Sequence, residues 1–128
     1  MLMSEVPEIT RADAGRVDKP WGYEIRWAIT ERFVGKVLHV NKGESLSLQY
    51  HKKKDESQLL VKGAVDIELG GEDGVLQTFR MTVGDTLHIT PGTRHRITAI
   101  EDADIFEVST AEIDDVVRLE DKYGRAGT

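Results

Sequence analysis

The sequence predicts an all-β chain that closes into a sandwich, jelly roll or barrel, and three observations carry that prediction. Short segments of β-branched and aromatic residues recur from Trp21 onward, Gly, Asp and Pro punctuate them, and their spacing is close. The segments run Tyr23 to Ile29, Phe33 to Val40, Ser45 to His51, Gln58 to Val61, Val65 to Leu69, Leu76 to Met81, Thr86 to Ile89, His95 to Ile100 and Ile105 to Ser109. Gly70-Gly71-Glu72-Asp73-Gly74 reads as a hairpin connection, and Val83-Gly84-Asp85 and Thr90-Pro91-Gly92-Thr93 read as turns, because Gly, Asp and Pro suit the dihedral angles of reversals. Residues 1–18 are polar, with Pro7, Gly15 and no sustained period. They are expected to form an N-terminal arm, disordered or laid across a partner subunit, ahead of one domain over 19–128. In the acidic tail, Ile113, Val116, Val117 and Leu119 fall at helix-like intervals, which predicts a short helix or a docked terminal segment.

A chain of 128 residues has the usual size of one domain. With 39% hydrophobic and 31% charged residues it is too apolar to be disordered and too mixed in charge to be a polyelectrolyte. No run of about 18 apolar residues occurs and the opening lacks the order of a signal peptide, so a cytoplasmic protein without membrane contact is expected. A net charge of −6 argues against nucleic acid as a partner, since neutralising phosphates requires a broad basic face. Positive charge nevertheless gathers at Lys52, Lys53 and Lys54 beside His51, and at Arg94 and Arg96 around His95; it is read either as solvated loop charge or as a site for an anionic ligand. The absence of cysteine limits any metal site to nitrogen and oxygen ligands.

Strand alternation through residues 45–51 sends Leu46, Leu48 and Tyr50 to one face and Ser45, Ser47, Gln49 and His51 to the other. Gln49 and His51 then project side by side, roughly 6 to 7 Å apart at the backbone, and can converge on one ion. Glu56 follows within the reach of a turn, and His95 must arrive from a distant strand. His39 and His88 occupy no such position and are read as surface or packing residues, as Trp21 and Tyr23 are read as packing residues.

Gly43, Gln49-Tyr50-His51, Glu56 and Gly63 resemble the first motif of the cupins, and Gly84-Asp85 with Thr90-Pro91-Gly92-Thr93-Arg94-His95 resembles the second. The resemblance implies a cupin double-stranded β-helix, a jelly-roll barrel, in which Gln49, His51, Glu56 and His95 hold one divalent metal ion. Gln-x-His in place of the general His-x-His is similar to the phosphomannose isomerase branch. Pro20-Trp21-Gly22-Tyr23-Glu24, Ser45 to Gln49, Asp114 to Arg118 and Asp121 to Arg125 are similar to the cupin portion of type II mannose-6-phosphate isomerases. The sequence departs from that pattern at Lys52-Lys53-Lys54-Asp55 and Ser57-Gln58, where arginine and aromatic residues usually surround the glutamate, at Thr90 and at Ala99. It holds no counterpart of the nucleotidylyltransferase domain that many type II proteins carry.

The mixed N/O ligand set suits zinc, manganese, iron, cobalt or nickel and does not choose among them; zinc is the first expectation, and four protein ligands leave positions open for substrate. The function this implies is aldose–ketose isomerisation or epimerisation of a sugar or sugar phosphate. Glu107 is the expected base, because alternation in Ile105-Phe106-Glu107-Val108-Ser109 sets it opposite Phe106 and Val108. Arg118 is assigned a catalytic role beside Glu107 and, with Lys53 and Arg94, the binding of the substrate's phosphate. Two other classes fit part of the pattern: an iron-dependent oxygenase, for which His51, Glu56 and His95 alone would form the triad, and a non-catalytic sugar-binding module. The resemblance also implies a homodimer.

Overall fold

The computed structural model describes residues 8–127, and every segment named above contributes a strand. After a short 3₁₀ turn at Ala12–Gly15 the chain forms β1 (Arg16–Lys19), β2 (Gly22–Ile29), β3 (Val34–Val40), β4 (Leu48–Tyr50), β5 (Glu56–Lys62), β6 (Ala64–Gly70), β7 (Leu76–Thr82), β8 (Thr86–Ile89), β9 (Arg94–Ala99), β10 (Ala103–Ser109) and β11 (Val117–Glu120). All pairings are antiparallel. A six-stranded sheet in the order β1-β2-β3-β10-β5-β8 faces a five-stranded sheet in the order β11-β4-β9-β6-β7. This is the cupin double-stranded β-helix. Among the described residues no helix is long and apolar enough to cross a membrane.

Gly63 makes the passage from the first sheet to the second. It is the single residue between β5 and β6, its φ is +83°, and a Cβ there would lie 2.2 Å from the Asp102 carbonyl oxygen. Only glycine satisfies both the left-handed angle and the close approach, which gives the last glycine of the first motif its physical role.

Register places the apolar core and the polar cavity at different levels of the same barrel. Leu38, Ile105 and Leu60 are paired neighbours across β3, β10 and β5, and with Val65, Ile67, Ile97, Ala99 and Trp21 they fill the closed end. One level along, the paired inward residues are instead Arg26, Lys36, Glu107 and Gln58. In the opposite sheet Arg118, Gln49 and His95 are paired across β11, β4 and β9. A period of two then determines what faces out: Phe106 and Val108 are 46% and 52% exposed while Glu107 between them is 5% exposed. With Trp27 packed over Gly35, these residues leave an apolar outer surface on the six-stranded sheet.

Three segments differ from the sequence expectation. Residues 16–18, assigned to the arm, belong to β1, which pairs with β2; Met1 to Pro7 lie outside the described residues. The expected Ser45–His51 strand is regular only over Leu48–Tyr50, with an isolated Ser45–Thr98 bridge before it, so Leu46 turns inward beside Ser47 instead of alternating with it. The tail docks, but as turns and a strand rather than a helix, because β4 offers a free edge that β11 fills. The Asp115 carboxylate anchors it there by accepting the backbone N–H groups of Lys52, Lys53 and Lys54 at 3.1, 2.7 and 2.9 Å.

Leu60 is fully buried in this core, so Leu60→Ala is expected to destabilise the fold by about 2–5 kcal/mol, the range for deleting a packed leucine side chain. Urea denaturation of the two proteins checks it; a loss below about 1 kcal/mol would contradict this placement of the core.

Candidate metal centre

Two imidazoles converge on one carboxylate oxygen. His51 Nε2 lies 3.1 Å and His95 Nε2 3.3 Å from Glu56 Oε1, and all three side chains are buried. His51 comes from the end of β4, Glu56 from the start of β5 and His95 from β9, so the first turn and the pairing of β4 with β9 together make the cluster. The other ring nitrogens are already engaged: His51 Nδ1 donates to the Asp115 carbonyl at 2.6 Å and His95 Nδ1 to the Thr93 carbonyl at 2.9 Å. A carbonyl can only accept, so each neutral ring carries its proton on Nδ1 and turns a lone pair on Nε2 toward Glu56. Two nitrogen lone pairs and a carboxylate then meet in a buried space, an arrangement that calls for a cation between them. Glu56 Oε2 has no hydrogen-bond donor, and its charge is met by Lys54 Nζ at 3.2 Å. The donor set therefore fits a metal ion, and carbonyl partners behind ligating histidines are the usual means of orienting them.

Gln49 lines the same cavity between Arg118 and His95, its Oε1 accepting a long 3.4 Å contact from Ser47. The cavity measures about 360 Å³, in the range of small-molecule sites. Glu107 projects into it from β10. Gln58 Nε2 donates to Glu107 Oε1 at 2.9 Å, and Lys54 Nζ stands 3.7 Å from Oε2. Burial, followed by the charge of Glu56, pushes the Glu107 carboxyl up to about 7, against the opposing pull of Lys54 and Lys36. Burial opposes ionisation of Glu56, and Lys54 Nζ at 3.2 Å from its Oε2 favours it.

Of the three basic residues expected to hold a phosphate, only Arg118 faces the cavity. Arg94 points to the opposite side of β9 from His95, as alternation requires of an adjacent residue, and its guanidinium stacks 3.9 Å from the Tyr50 ring centroid. Lys53 is exposed, its amide tied down by Asp115. Of the run Lys52 to Lys54, from which sequence reasoning selected Lys53, it is Lys54 that is buried and lines the cavity, and the inward residues Glu24, Arg26 and Lys36 were not selected. Lys36 was detectable, since Val34, Leu38 and Val40 share its face by alternation. His39 and His88 pair with Asp104 and Asp55, outside the cavity.

Comparison with known proteins identifies the family. The family model described as mannose-6-phosphate isomerase C-terminal matches residues 9–121. The chain belongs to that family. As a member of the mannose-6-phosphate isomerase C-terminal family it is 29% identical over 132 residues to the xanthan biosynthesis protein XanB of Xanthomonas campestris, covering 97% of this chain and 27% of XanB. It is 33% identical over 117 residues to the mannose-1-phosphate guanylyltransferase ManC of Salmonella typhimurium, covering 85% of this chain and 23% of ManC. The chain thus spans about a quarter of the length of these relatives. Among solved structures it is similar in fold to KdgF from Halomonas, with a TM-score of 0.68 at 22% identity over 77% of this chain and 89% of KdgF. An oxalate decarboxylase from Lactobacillus farciminis gives a TM-score of 0.70 at 18% identity, over 81% of this chain and 33% of the decarboxylase.

Glu24 carries a pH signature of the cavity. Burial would raise its pKa, but Lys36, Arg26 and Lys19 hold it below the ordinary 4.5. A depressed carboxylate stabilises the fold above its unfolded pKa, and this contribution is lost as pH falls through the lower folded value. Glu24→Gln should therefore cost stability at pH 7, and the gap from the parent protein should narrow as pH drops below about 4.5. Urea denaturation across that interval measures the gap; a gap independent of pH would refute the assignment.

Proposed function

We propose that this chain is a metal-dependent aldose–ketose isomerase, or an epimerase, of a sugar phosphate. The observation that supports it best is a buried carboxyl, Glu107, that projects into the cavity that also holds the His51–Glu56–His95 cluster. Family membership supports the choice of a mannose-phosphate-like substrate. In this reading Gln49 joins His51, Glu56 and His95 as ligands, zinc being the first candidate ion. When bound, a divalent ion supplies Lewis acidity at the sugar carbonyl and the adjacent hydroxyl.

The remaining work falls to the chain itself. Glu107 in its ionised form takes the proton from the second carbon, giving an enediolate; the hydroxyl proton on the second carbon's oxygen passes to the first carbon's oxygen, and Glu107 returns its proton to the first carbon. Gln58 fixes one oxygen of that carboxyl and so aims the other into the cavity. Lys54 compensates whichever of Glu56 and Glu107 carries charge, which keeps both deprotonated forms accessible in a buried space. Arg118 holds the substrate from the opposite sheet.

A coupled assay of mannose 6-phosphate conversion to fructose 6-phosphate, on metal-stripped protein resupplied with zinc, manganese, cobalt or iron, tests the reading. Turnover should require metal. His51→Ala should lose both metal, by elemental analysis, and turnover. Glu107→Gln should keep the metal and lose at least about 100-fold in kcat. Metal binding without turnover of any sugar phosphate would favour a binding module, and oxygen uptake with ferrous iron an oxygenase.

We further propose that the apolar outer face of the six-stranded sheet is covered by a second copy of the chain, since Trp27, Phe106 and Val108 are each about half exposed and contiguous in register. Phe106→Lys should convert a dimer to a monomer in light scattering, with unchanged circular dichroism. A monomeric parent protein would end this proposal.

A further inference from the structure

Between His51 and Glu56 the chain runs through residues 52–55, and every amide of that loop donates to the C-terminal tail. The Asp115 carboxylate accepts the Lys52 N–H on Oδ1 at 3.1 Å and the Lys53 and Lys54 N–H groups on Oδ2 at 2.7 and 2.9 Å. The Asp55 N–H donates to Thr110 Oγ1 at 3.1 Å, and the Asp55 carbonyl accepts the Thr110 N–H at 3.0 Å. Successive N–H groups turned to one side make a cradle for an anion, and here the anion belongs to a distant segment of the same chain. Asp115 also reaches the ring itself, because its carbonyl accepts from His51 Nδ1 at 2.6 Å. One residue thus governs the loop that spaces two members of the cluster and the orientation of one of them. The tail that carries it is docked with little apolar burial. Ile113, Val116 and Val117 are half-buried, Leu119 is 44% exposed, and β11 pairs with β4 at Val117, Arg118 and Glu120 with a register shift before the last. Further along, Tyr123 packs against the margin of the core. A segment held chiefly by hydrogen bonds at a sheet edge belongs to the low end of local stability.

We infer that Asp115 is a positioning residue of the metal centre, through which an ion in the His51–Glu56–His95 cluster and the docking of the tail stabilise each other. The inference rests on the reading of that cluster as a metal centre and deepens it. With the tail docked, the loop holds His51 and Glu56 at a fixed separation and the ring presents Nε2, so an ion meets ligands already in place. With the tail undocked, the four loop amides and His51 Nδ1 lose their acceptors, and the ring is free to turn away from Glu56. An ion that binds the docked form better must shift the tail toward docking by the same factor. Partners behind ligating side chains typically contribute about 10–100-fold to metal affinity. Because Ile113, Asp114, Val116 and Arg118 of the tail line the cavity, the ion also completes the cavity wall. Aspartate suits the position because both of its oxygens accept; an asparagine of the same shape would set an NH₂ group against at least one of the three amides.

The test titrates zinc, manganese and cobalt into the metal-stripped full chain in competition with a chromophoric chelator. Asp115→Asn should weaken binding at least about tenfold, whereas Val65→Ala, which opens a cavity at the closed end of the barrel, should stay within about threefold of the parent protein while circular dichroism shows both folded. Hydrogen exchange read by mass spectrometry on the parent protein needs no variant and decides the matter if Asp115→Asn does not fold. The ion should slow exchange of the amides at 52–55 and 111–120 at least about tenfold and leave the β6–β7 hairpin unchanged. The inference is overturned if Asp115→Asn binds the ion as tightly as the parent protein, or if exchange in the loop and the tail ignores the ion; the metal centre would stand in both cases. A parent protein that binds none of the three ions removes the centre and the inference together. Neither measurement reads turnover, so a chain without isomerase activity can satisfy both.

Discussion

Everything in the cavity depends on Glu56, the carboxylate on which two imidazole lone pairs converge at 3.1 and 3.3 Å. Both rings are held from behind by backbone carbonyls that belong to other parts of the chain, Thr93 in the turn before β9 and Asp115 in the docked tail. The tail is therefore part of the centre: its carbonyl sets the His51 tautomer while its carboxylate ties the loop at 52–54 that carries Lys54. Loosening the tail would free the His51 ring to rotate and release the loop in one event.

That concentration of charge is tolerated because it alternates. Across the first sheet the inward residues run Arg26, Lys36, Glu107 and Gln58, with Glu24 one step below and Lys54 and Glu56 one step above. Each carboxylate has a cation within about 4 Å, and Gln58 satisfies an oxygen of Glu107 that no cation reaches. Buried charges cost several kcal/mol each unless paired and hydrogen-bonded, so this row is stable only as a connected set. The apolar row one level along, Leu38, Ile105 and Leu60, supplies the burial that the polar row forgoes.

The strands, the two motifs and the three clustered residues were legible in the sequence because they obey local rules: a period of two, turn residues at the reversals, and ligand spacing. Alternation sufficed to place Glu107 inside. Applied to Arg94 it would also have excluded that residue, since a neighbour of the inward His95 must point away. The strands β1 and β11 were not legible for a different reason. Arg16–Lys19 has no hydrophobic period, and the helix-like spacing of Ile113 to Leu119 is a true local pattern; in both cases a free sheet edge elsewhere in the chain decides the outcome. The cations around Glu24 stayed hidden because Lys19, Arg26 and Lys36 come from three strands, and only register brings them together.

The departures from the usual cupin surroundings of the glutamate acquire a physical meaning in this setting. Lys54, in the run that stands where arginine and aromatic residues usually surround the glutamate, presents a compact charge that reaches both Glu56 and Glu107. A planar guanidinium would favour one carboxylate in a paired geometry and leave the other less compensated. Gln58, in the same departing stretch, gives Glu107 a hydrogen bond at 2.9 Å. The two changes are coupled through Glu107: the lysine shares its charge between two acids, and the amide steadies the one that receives less of it. The pair therefore acts as a unit, and removing the polar end of either side chain would leave an oxygen of Glu107 short of a partner in a buried space.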